Sequence, residues 1–299
     1  MQTAIDLAAA QPRVLDIAAY AAQEERLAGV RIAPIEPILG ARVTGLRLRA
    51  GERVPEPLAA TLRRKLLERG FLVFEPGTVD AEAFVDLVSV FGDVQYSGGP
   101  YTPAPQDNRL VNTIDSSIKK THMNYIWHVD GGYRHHSPKM TALFGHTVPE
   151  AGGDTLFANA VAAYDLLDPL FARYIETLTA VQSAESVGHL TLQYHDPDEL
   201  ARQRGLNPPI ETPVIRVHPE TGGKQVFVNE SYTLRIKAVT RAVSQNLLNI
   251  LFDLIKSPEI QVRFRWEQGA VLIWDNRTVQ HRGVHDYSGR RVLYRAIVS

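Results

Sequence analysis

After residue 110 the sequence is dominated by short apolar segments, and this pattern constrains the fold more than any other feature. Gly, Pro and Asp residues separate these segments, of which the clearest are 214–217, 225–228, 270–274 and 292–298. A doubly wound sheet would alternate strands and helices more regularly, whereas many short strands with few helices indicate a barrel or a jelly roll. We therefore predict a mainly β fold with flanking helices.

Four segments have apolar residues at helical spacing, and they cover residues 57–69, 81–91, 160–178 and 238–255. In the first, Leu58, Leu62 and Leu66 recur on one face, and Gly70 follows as a C-cap. Asp80 is the predicted N-cap of the second helix. Helices at these positions would flank the strands of the predicted β core.

The compact body of the protein is predicted to begin at Val30. Residues 1–29 carry only a weak helical pattern, so we expect a helical lead-in or a mobile arm there. Residues 30–299 are predicted to form one domain, because 44% of the chain is hydrophobic and no internal repeat is visible. A long segment rich in Gly, Pro and Tyr, residues 95–107, resembles an active-site loop more than a connection.

The charge and composition of the chain indicate small molecules as partners. A net charge of -1 provides no basic field to bind nucleic acid. No apolar run reaches the roughly 18 residues that a membrane span requires, and no basic segment precedes the alanine-rich start, so we predict a cytoplasmic protein without a signal peptide. The sequence leaves the oligomeric state open, with a homo-oligomer among the options.

The absence of cysteine means that any metal site must be built from His and carboxylate ligands. His128 and Asp130 are spaced for this role, because residues two apart on an extended segment point to the same face. A triad of two His and one carboxylate needs a third ligand from a distant strand and leaves three coordination positions open. His281 and His285 are both candidates, since both follow the apolar strand at 270–274.

The same His-x-acid pattern recurs at His218 and Glu220, which shows that it also arises by chance. A Thr-Gly-Gly turn follows this second copy and lies between two predicted strands. We therefore expect an exposed hairpin there and no metal ligand.

The stretch from Trp274 to His281, WDNRTVQH, carries the most specific resemblance to a known family, and it is followed by Asp286-Tyr287, Arg290-Arg291 and Arg295. Further matching stretches are 127–130, 152–157, 218–222 and 228–230. With these motifs the chain resembles the taurine dioxygenase and 2,4-dichlorophenoxyacetate dioxygenase (TauD/TfdA) family of iron(II)/2-oxoglutarate oxygenases. The resemblance covers nearly everything from residue 30 to the C-terminus.

The resemblance implies a double-stranded β-helix fold, which is a jelly-roll or cupin-like core. It also implies iron(II) bound by His128, Asp130 and His281, with 2-oxoglutarate and dioxygen as cosubstrates and succinate and CO2 as products. His281 is preferred as the distal ligand because it closes the Asp-Asn-Arg segment. His285 then becomes a residue of the surrounding pocket.

Arg291, Leu293 and Arg295 share one face of the C-terminal strand. If this face points into the barrel, each buried guanidinium needs an anion. The family resemblance implies that Arg291, assisted by Thr155, binds the distal carboxylate of 2-oxoglutarate. It also implies that Arg295 binds an acidic group of the primary substrate.

The resemblance also extends to the substrate pocket, where it implies roles for Asn124, near substrate or cosubstrate, and for Tyr232. We expect Tyr96 and Tyr101, from the irregular loop, to complete the pocket. Taurine itself is disfavoured, because this loop lacks the histidine that contacts the sulfonate in taurine enzymes.

The predicted function is oxidation of an unactivated carbon of a small, anionic organic acid, as in natural-product tailoring. Hydroxylation, desaturation and ring formation all remain open. One alternative is a non-oxidative jelly-roll metal enzyme, an isomerase or lyase, which would not need Arg291 and Thr155 as a carboxylate site. A catalytically inactive binding protein is another, although the full ligand set argues against it. Halogenation is disfavoured because the carboxylate ligand, Asp130, is present.

Overall fold

The fold is taken from a computed structural model, which describes residues 15–95, 110–118, 122–187, 190–191 and 194–299. The first strands are β1 (Glu25–Leu27), β2 (Val30–Pro34), β3 (Ala41–Thr44), β4 (Phe71–Phe74), β5 (Val94–Gln95), β6 (Asn112–Asp115), β7 (Met140–Thr147), β8 (Thr155–Asn159) and β9 (Thr179–Gln182). They are followed by β10 (Ile210–Pro213), β11 (Ile215–Val217), β12 (Lys224–Val226), β13 (Thr233–Ile236), β14 (Gln261–Phe264), β15 (Val271–Asp275), β16 (Val279–Gly283) and β17 (Val292–Val298).

The α-helices of the described residues are α1 (Glu56–Arg69), α2 (Phe84–Ser89), α3 (Ala160–Asp165), α4 (Pro169–Ile175), α5 (Pro197–Leu206) and α6 (Arg241–Ile255). Short 3₁₀ helices cover Ile17–Tyr20, His122–Tyr125 and Pro258–Ile260. The prediction for residues 57–69 is confirmed, and Gly70 ends α1 with a φ of 70°. A positive φ of this size favours glycine, because glycine has no Cβ that would clash with the backbone.

Two helix predictions need correction. The single helix predicted over 160–178 is wrong, because Asp168 interrupts it and caps α4 by accepting hydrogen bonds from the backbone N–H groups of Leu170 and Phe171. Helix α2 begins at Phe84 rather than directly after Asp80. The Asp80 side chain instead accepts a hydrogen bond from the N–H of Ala83, within the turn that precedes the helix.

The core is a jelly roll, as predicted. Its larger sheet has nine strands among the described residues, in the order β1-β2-β3-β4-β15-β7-β17-β5, with β6 also pairing with β17. A three-stranded sheet, β14-β8-β16, is antiparallel throughout. Phe71 of β4 and Phe157 of β8 pack against each other with ring centroids 4.8 Å apart. These two sheets therefore contact each other through a buried apolar layer.

Residues 15–29 contact the body through Arg69 and through strand pairing. Strand β1 is antiparallel to β2. The buried guanidinium of Arg69 donates hydrogen bonds to the carbonyls of Tyr20, Glu36, Pro37 and Gly40. Because these acceptors are all carbonyls, the side chain connects α1 with the preceding loops through hydrogen bonds alone.

The hairpin predicted at residues 218–220 is present, but the prediction that it is exposed is wrong for His218. A turn does join β11 to β12, since the N–H of His218 donates to the carbonyl of Gly223. The His218 ring, however, is only 1% exposed, and its Nε2 lies 3.1 Å from Oδ2 of Asp275. Arg277 also donates to this carboxylate. The motif therefore belongs to a buried polar network.

Candidate metal centre

His128, Asp130 and His281 come together beside β16, an edge strand of the β14-β8-β16 sheet. One ligand atom from each residue lies within 4.8 Å of the other two. Oδ1 of Asp130 is 3.7 Å from Nε2 of His128 and 3.9 Å from Nε2 of His281. Two imidazole nitrogens and one carboxylate oxygen at this spacing can bind a single ion of a metal such as iron.

Backbone pairing sets the positions of the two histidines. His281 lies in the middle of β16, and His128 forms an antiparallel bridge with it. The N–H of His128 donates to the carbonyl of His281 at 3.1 Å, and the reverse bond is 2.9 Å. Directly paired residues of antiparallel strands have neighbouring side chains, and the two rings have centroids 4.2 Å apart.

Two polar side chains fix Asp130. Thr141 of β7 donates its hydroxyl to Oδ2 of Asp130 at 2.8 Å, which leaves Oδ1 facing the histidines. The buried Asn276 accepts a hydrogen bond from the N–H of Asp130 and donates one to its carbonyl, each at 2.8 Å. Both the side chain and the backbone of this residue are therefore oriented from outside the ligand set.

The two histidines are oriented by different means. Nδ1 of His128 lies 2.7 Å from the carbonyl of Ile126, so its other ring nitrogen, Nε2, is directed toward Asp130. Nδ1 of His281 is buried without a hydrogen-bond partner among the described residues. Instead, its ring lies against Trp274 and Phe157, with centroids 4.7 Å and 5.8 Å away.

The surroundings of the cluster lower the pKa values of Asp130 and His281, which favours cation binding. Burial by itself would raise the pKa of Asp130, but Arg295, the two histidines and the Thr141 hydroxyl lower it to about 2. Burial, reinforced by His128, lowers the pKa of His281 to about 3. At neutral pH the site therefore presents a carboxylate and an uncharged imidazole, which are the protonation states that metal binding needs.

Arg291, which directly precedes β17, is a buried cation. It is 6% exposed, and no described carboxylate forms an ion pair with its guanidinium. Instead, the guanidinium lies 5.8 Å from the ring of Trp266 and 5.9 Å from that of Tyr287. Burial lowers its pKa, although Tyr287 and Asp154 oppose this effect. A buried guanidinium in these surroundings fits an anionic ligand.

Thr155, at the start of β8, shares a neighbour with Arg291, namely Trp266. It is buried, and its Oγ1 accepts a hydrogen bond of 3.0 Å from Nε1 of Trp266. Gly153, two residues earlier, has a φ of +72°, and a Cβ there would come within 3.3 Å of Nε of Arg291. The glycine therefore lets the turn lie close against the arginine.

Arg295 and Tyr232 border the three ligands on another side. Arg295 is close enough to lower the pKa of Asp130, and its charge also influences His281. The ring of Tyr232 is buried, with its centroid 6.4 Å from that of His128, and it packs on Tyr133 at 4.9 Å. Burial raises the pKa of Tyr232, so its hydroxyl is protonated at neutral pH.

His285 lies outside the three-residue cluster. Its Nε2 is 2.9 Å from Oδ1 of Asn124, and its ring contacts Tyr125 and Tyr287. The structure thus connects Asn124 to His285, at the rim of the site. Tyr96 and Tyr101 lie outside the described residues.

Sequence reasoning missed three side chains that contact predicted site residues, namely Thr141, Asn276 and Trp266. For Thr141 there was a signal, since it is the polar residue of an otherwise apolar stretch, and buried polar groups require partners. Asn276 lay within the matched WDNR motif without an assigned role. No local pattern indicated the partner of Trp266.

Comparison with known proteins identifies the family of the chain. The model of the family described as "Taurine catabolism dioxygenase TauD, TfdA family" matches residues 31–297. An alkylsulfatase of Acinetobacter baylyi is 33% identical over 268 residues, which cover 87% of this chain and 81% of that protein. An alpha-ketoglutarate-dependent sulfate ester dioxygenase of Pseudomonas putida is 30% identical over 272 residues, covering 88% and 87%.

Among solved structures, a taurine dioxygenase from Burkholderia xenovorans has a TM-score of 0.75 and 26% identity, with 90% of each chain covered. The match of the family model covers most of the chain, and the relatives and the fold agree with it. This chain therefore belongs to the TauD, TfdA family and is a 2-oxoglutarate-dependent dioxygenase.

Proposed function

We propose that the enzyme binds iron(II) through Nε2 of His128, Oδ1 of Asp130 and Nε2 of His281. The single observation that carries this proposal is the convergence of these three donor atoms within 4.8 Å. Two nitrogens and one oxygen on one side of an ion suit iron(II) and leave positions for other ligands. When bound, the iron would supply the activation of dioxygen together with the 2-oxo acid.

We further propose that Arg291 and Thr155 bind the distal carboxylate of 2-oxoglutarate. The buried guanidinium can donate two parallel hydrogen bonds to a carboxylate, which is a strong and directional contact. Such a carboxylate would also supply the anion that a buried arginine requires.

The substrate is proposed to be a small anionic molecule, oxidised at an unactivated carbon. Arg295 supports this, because its positive charge lies near Asp130 and can orient an acidic group of the substrate. Tyr232 and Tyr133 offer an apolar wall for the carbon skeleton. The names of two relatives, an alkylsulfatase and a sulfate ester dioxygenase, make sulfate esters the first substrates to test. The isomerase or lyase alternative has no support from the family.

The metal assignment is tested by adding iron(II) and 2-oxoglutarate without oxygen. The expected result is the weak visible charge-transfer band of a chelated 2-oxo acid. His128→Ala, Asp130→Ala and His281→Ala should each abolish the band. The matched control, His285→Ala, should keep it, because His285 lies outside the cluster. Loss of the band in His285→Ala with retention in His281→Ala would show that the ligands are misassigned.

The anionic substrate is tested with Arg295→Leu and Arg295→Lys. The leucine variant should bind metal and 2-oxoglutarate but lose coupled substrate oxidation, while slow, uncoupled succinate formation persists. The lysine variant keeps the charge and should retain part of the activity. A leucine variant that oxidises a sulfate ester as efficiently as wild type would rule out this role for Arg295.

A further inference from the structure

Trp266 contacts both residues of the proposed cosubstrate site, although it is not among the residues proposed to bind the metal, the cosubstrate or the substrate. It is 4% exposed, and the ring of Phe264 packs edge-on against it with centroids 5.0 Å apart. Its Nε1 donates to Thr155, and the face of its ring lies 5.8 Å from the Arg291 guanidinium. Trp266 thus contacts both the Thr155 hydroxyl and the Arg291 guanidinium.

The hydrogen bond with Trp266 restricts what Thr155 can do. An indole N–H is only a donor, whereas a hydroxyl has one proton and two acceptor lone pairs. Because Oγ1 of Thr155 accepts from Trp266, its own proton remains available for a different acceptor. In the part of the chain that the structure describes, the Thr155 hydroxyl bonds to Trp266 alone. Its proton is therefore free to be donated to a bound ligand.

We propose that Trp266 is a positioning residue for 2-oxoglutarate, acting through Thr155. By occupying an acceptor lone pair of the hydroxyl, its N–H directs the Thr155 proton toward the cosubstrate carboxylate. Its ring meanwhile packs beside the Arg291 guanidinium, so the two donors face one anion together. This inference rests on the proposed binding of the distal carboxylate by Arg291 and Thr155.

Trp266→Phe tests the proposal, because phenylalanine keeps an aromatic ring and removes the N–H. Binding of 2-oxoglutarate is measured by calorimetry without oxygen, with Mn(II) in place of iron. The variant should bind 2-oxoglutarate about 3- to 10-fold more weakly, the range expected for loss of one neutral hydrogen bond. Affinity for Mn(II) alone should be unchanged.

A cosubstrate analogue provides the matched control. 2-Oxopentanoate has the same 2-oxo acid end but no distal carboxylate, so the inference requires that Trp266→Phe leave its affinity unchanged. A drop in affinity that is equal for both ligands would mean that Trp266 supports the fold or the metal, and would overturn the proposal.

A double-mutant cycle with Thr155→Val shows whether Trp266 acts through the threonine. In the Thr155→Val background, Trp266→Phe should cause no further loss of 2-oxoglutarate affinity, because the bond is already absent. Additive losses would overturn the proposal. If instead Arg291→Gln and Thr155→Val both bind 2-oxoglutarate like wild type, the proposed cosubstrate site itself is wrong. If Arg291→Gln and Thr155→Val bind 2-oxoglutarate more weakly but Trp266→Phe binds it like wild type, only the proposed role of Trp266 is wrong.

Discussion

A carboxylate that binds an ion through one oxygen needs a partner for the other, and Thr141 provides it for Asp130. The hydroxyl of Thr141 is fully buried and holds Oδ2, while Oδ1 faces the two histidines. Without this bond the carboxylate could rotate and offer both oxygens to the metal. In the proposed metal site, Thr141 would therefore keep coordination positions available for the cosubstrates.

Thr141→Val should weaken Mn(II) binding by about tenfold or more, as expected when a hydrogen bond to a metal ligand is lost. Thr141→Ser keeps the hydroxyl and should bind Mn(II) within about threefold of wild type. Calorimetry on the metal-free protein measures both affinities, and circular dichroism checks the fold. Equal Mn(II) affinity in the valine variant would show that Thr141 does not orient the ligand.

At this scale, spacing predicts that His128 and Asp130 face one point, but it does not predict the side chains that orient them. His128 and Asp130 follow the two-residue period of extended backbone, which is a local property. Thr141 and Asn276 contact Asp130 from separate elements, so their roles depend on how the sheets meet. His281 was separated from His285 by family resemblance, since position after a strand suits both.

At the scale of elements, the end of β15 is joined to the β11–β12 turn by the buried carboxylate of Asp275. It accepts hydrogen bonds from Arg277, and Nε2 of His218 lies 3.1 Å away. Burial opposes ionisation, but these partners lower the pKa of Asp275. The ionised carboxylate therefore stabilises the packing of the turn against the core.

Asp275→Asn should lower the free energy of unfolding by about 3–5 kcal/mol at pH 7, because it removes one member of a buried charged network. The folded pKa of Asp275 is depressed, so its stabilisation is complete above the unfolded pKa of about 3.9 and is lost as pH falls further. Urea unfolding of both proteins measures the difference. The difference in the free energy of unfolding between wild type and Asp275→Asn should shrink below about pH 4, and a difference that widens there would contradict this account.

Local periodicity accounts for the elements that were predicted correctly. Helix α1 and strand β17 are recognisable from apolar spacing and from the cap at Gly70. Apolar spacing alone predicts one helix over α3 and α4, because the spacing continues across Asp168 and does not reveal that this residue caps α4. The burial of His218 could not be inferred locally, since its partner comes from a strand far along the chain.

At the scale of the whole molecule, the proposed ligand sites join distant parts of the chain. The proposed metal ligands lie on the segment near residue 128 and on β16, while Thr155 begins β8 and Arg291 precedes β17. Within the described residues no helix is long and apolar enough to cross a membrane. Because the ligands bind only where these elements are assembled, their binding should stabilise the folded chain.

Stepwise stabilisation by Mn(II) and 2-oxoglutarate is therefore expected. A ligand at about 100 times its dissociation constant adds roughly 2.7 kcal/mol to the free energy of unfolding. For a chain of this size, each ligand should then raise the Tm by about 5 °C, as measured by differential scanning calorimetry. Removal of the metal with a chelator should reverse both increments, because the 2-oxo acid is proposed to bind through it.

The variants separate the two increments of stabilisation. Arg291→Gln should keep the increment from Mn(II) and lose most of that from 2-oxoglutarate, because a neutral side chain replaces the charged contact. His281→Ala should lose both increments, since the 2-oxo acid end has no metal to chelate. If 2-oxoglutarate stabilised His281→Ala as strongly as wild type, it would bind independently of the metal, and the joint site would have to be abandoned.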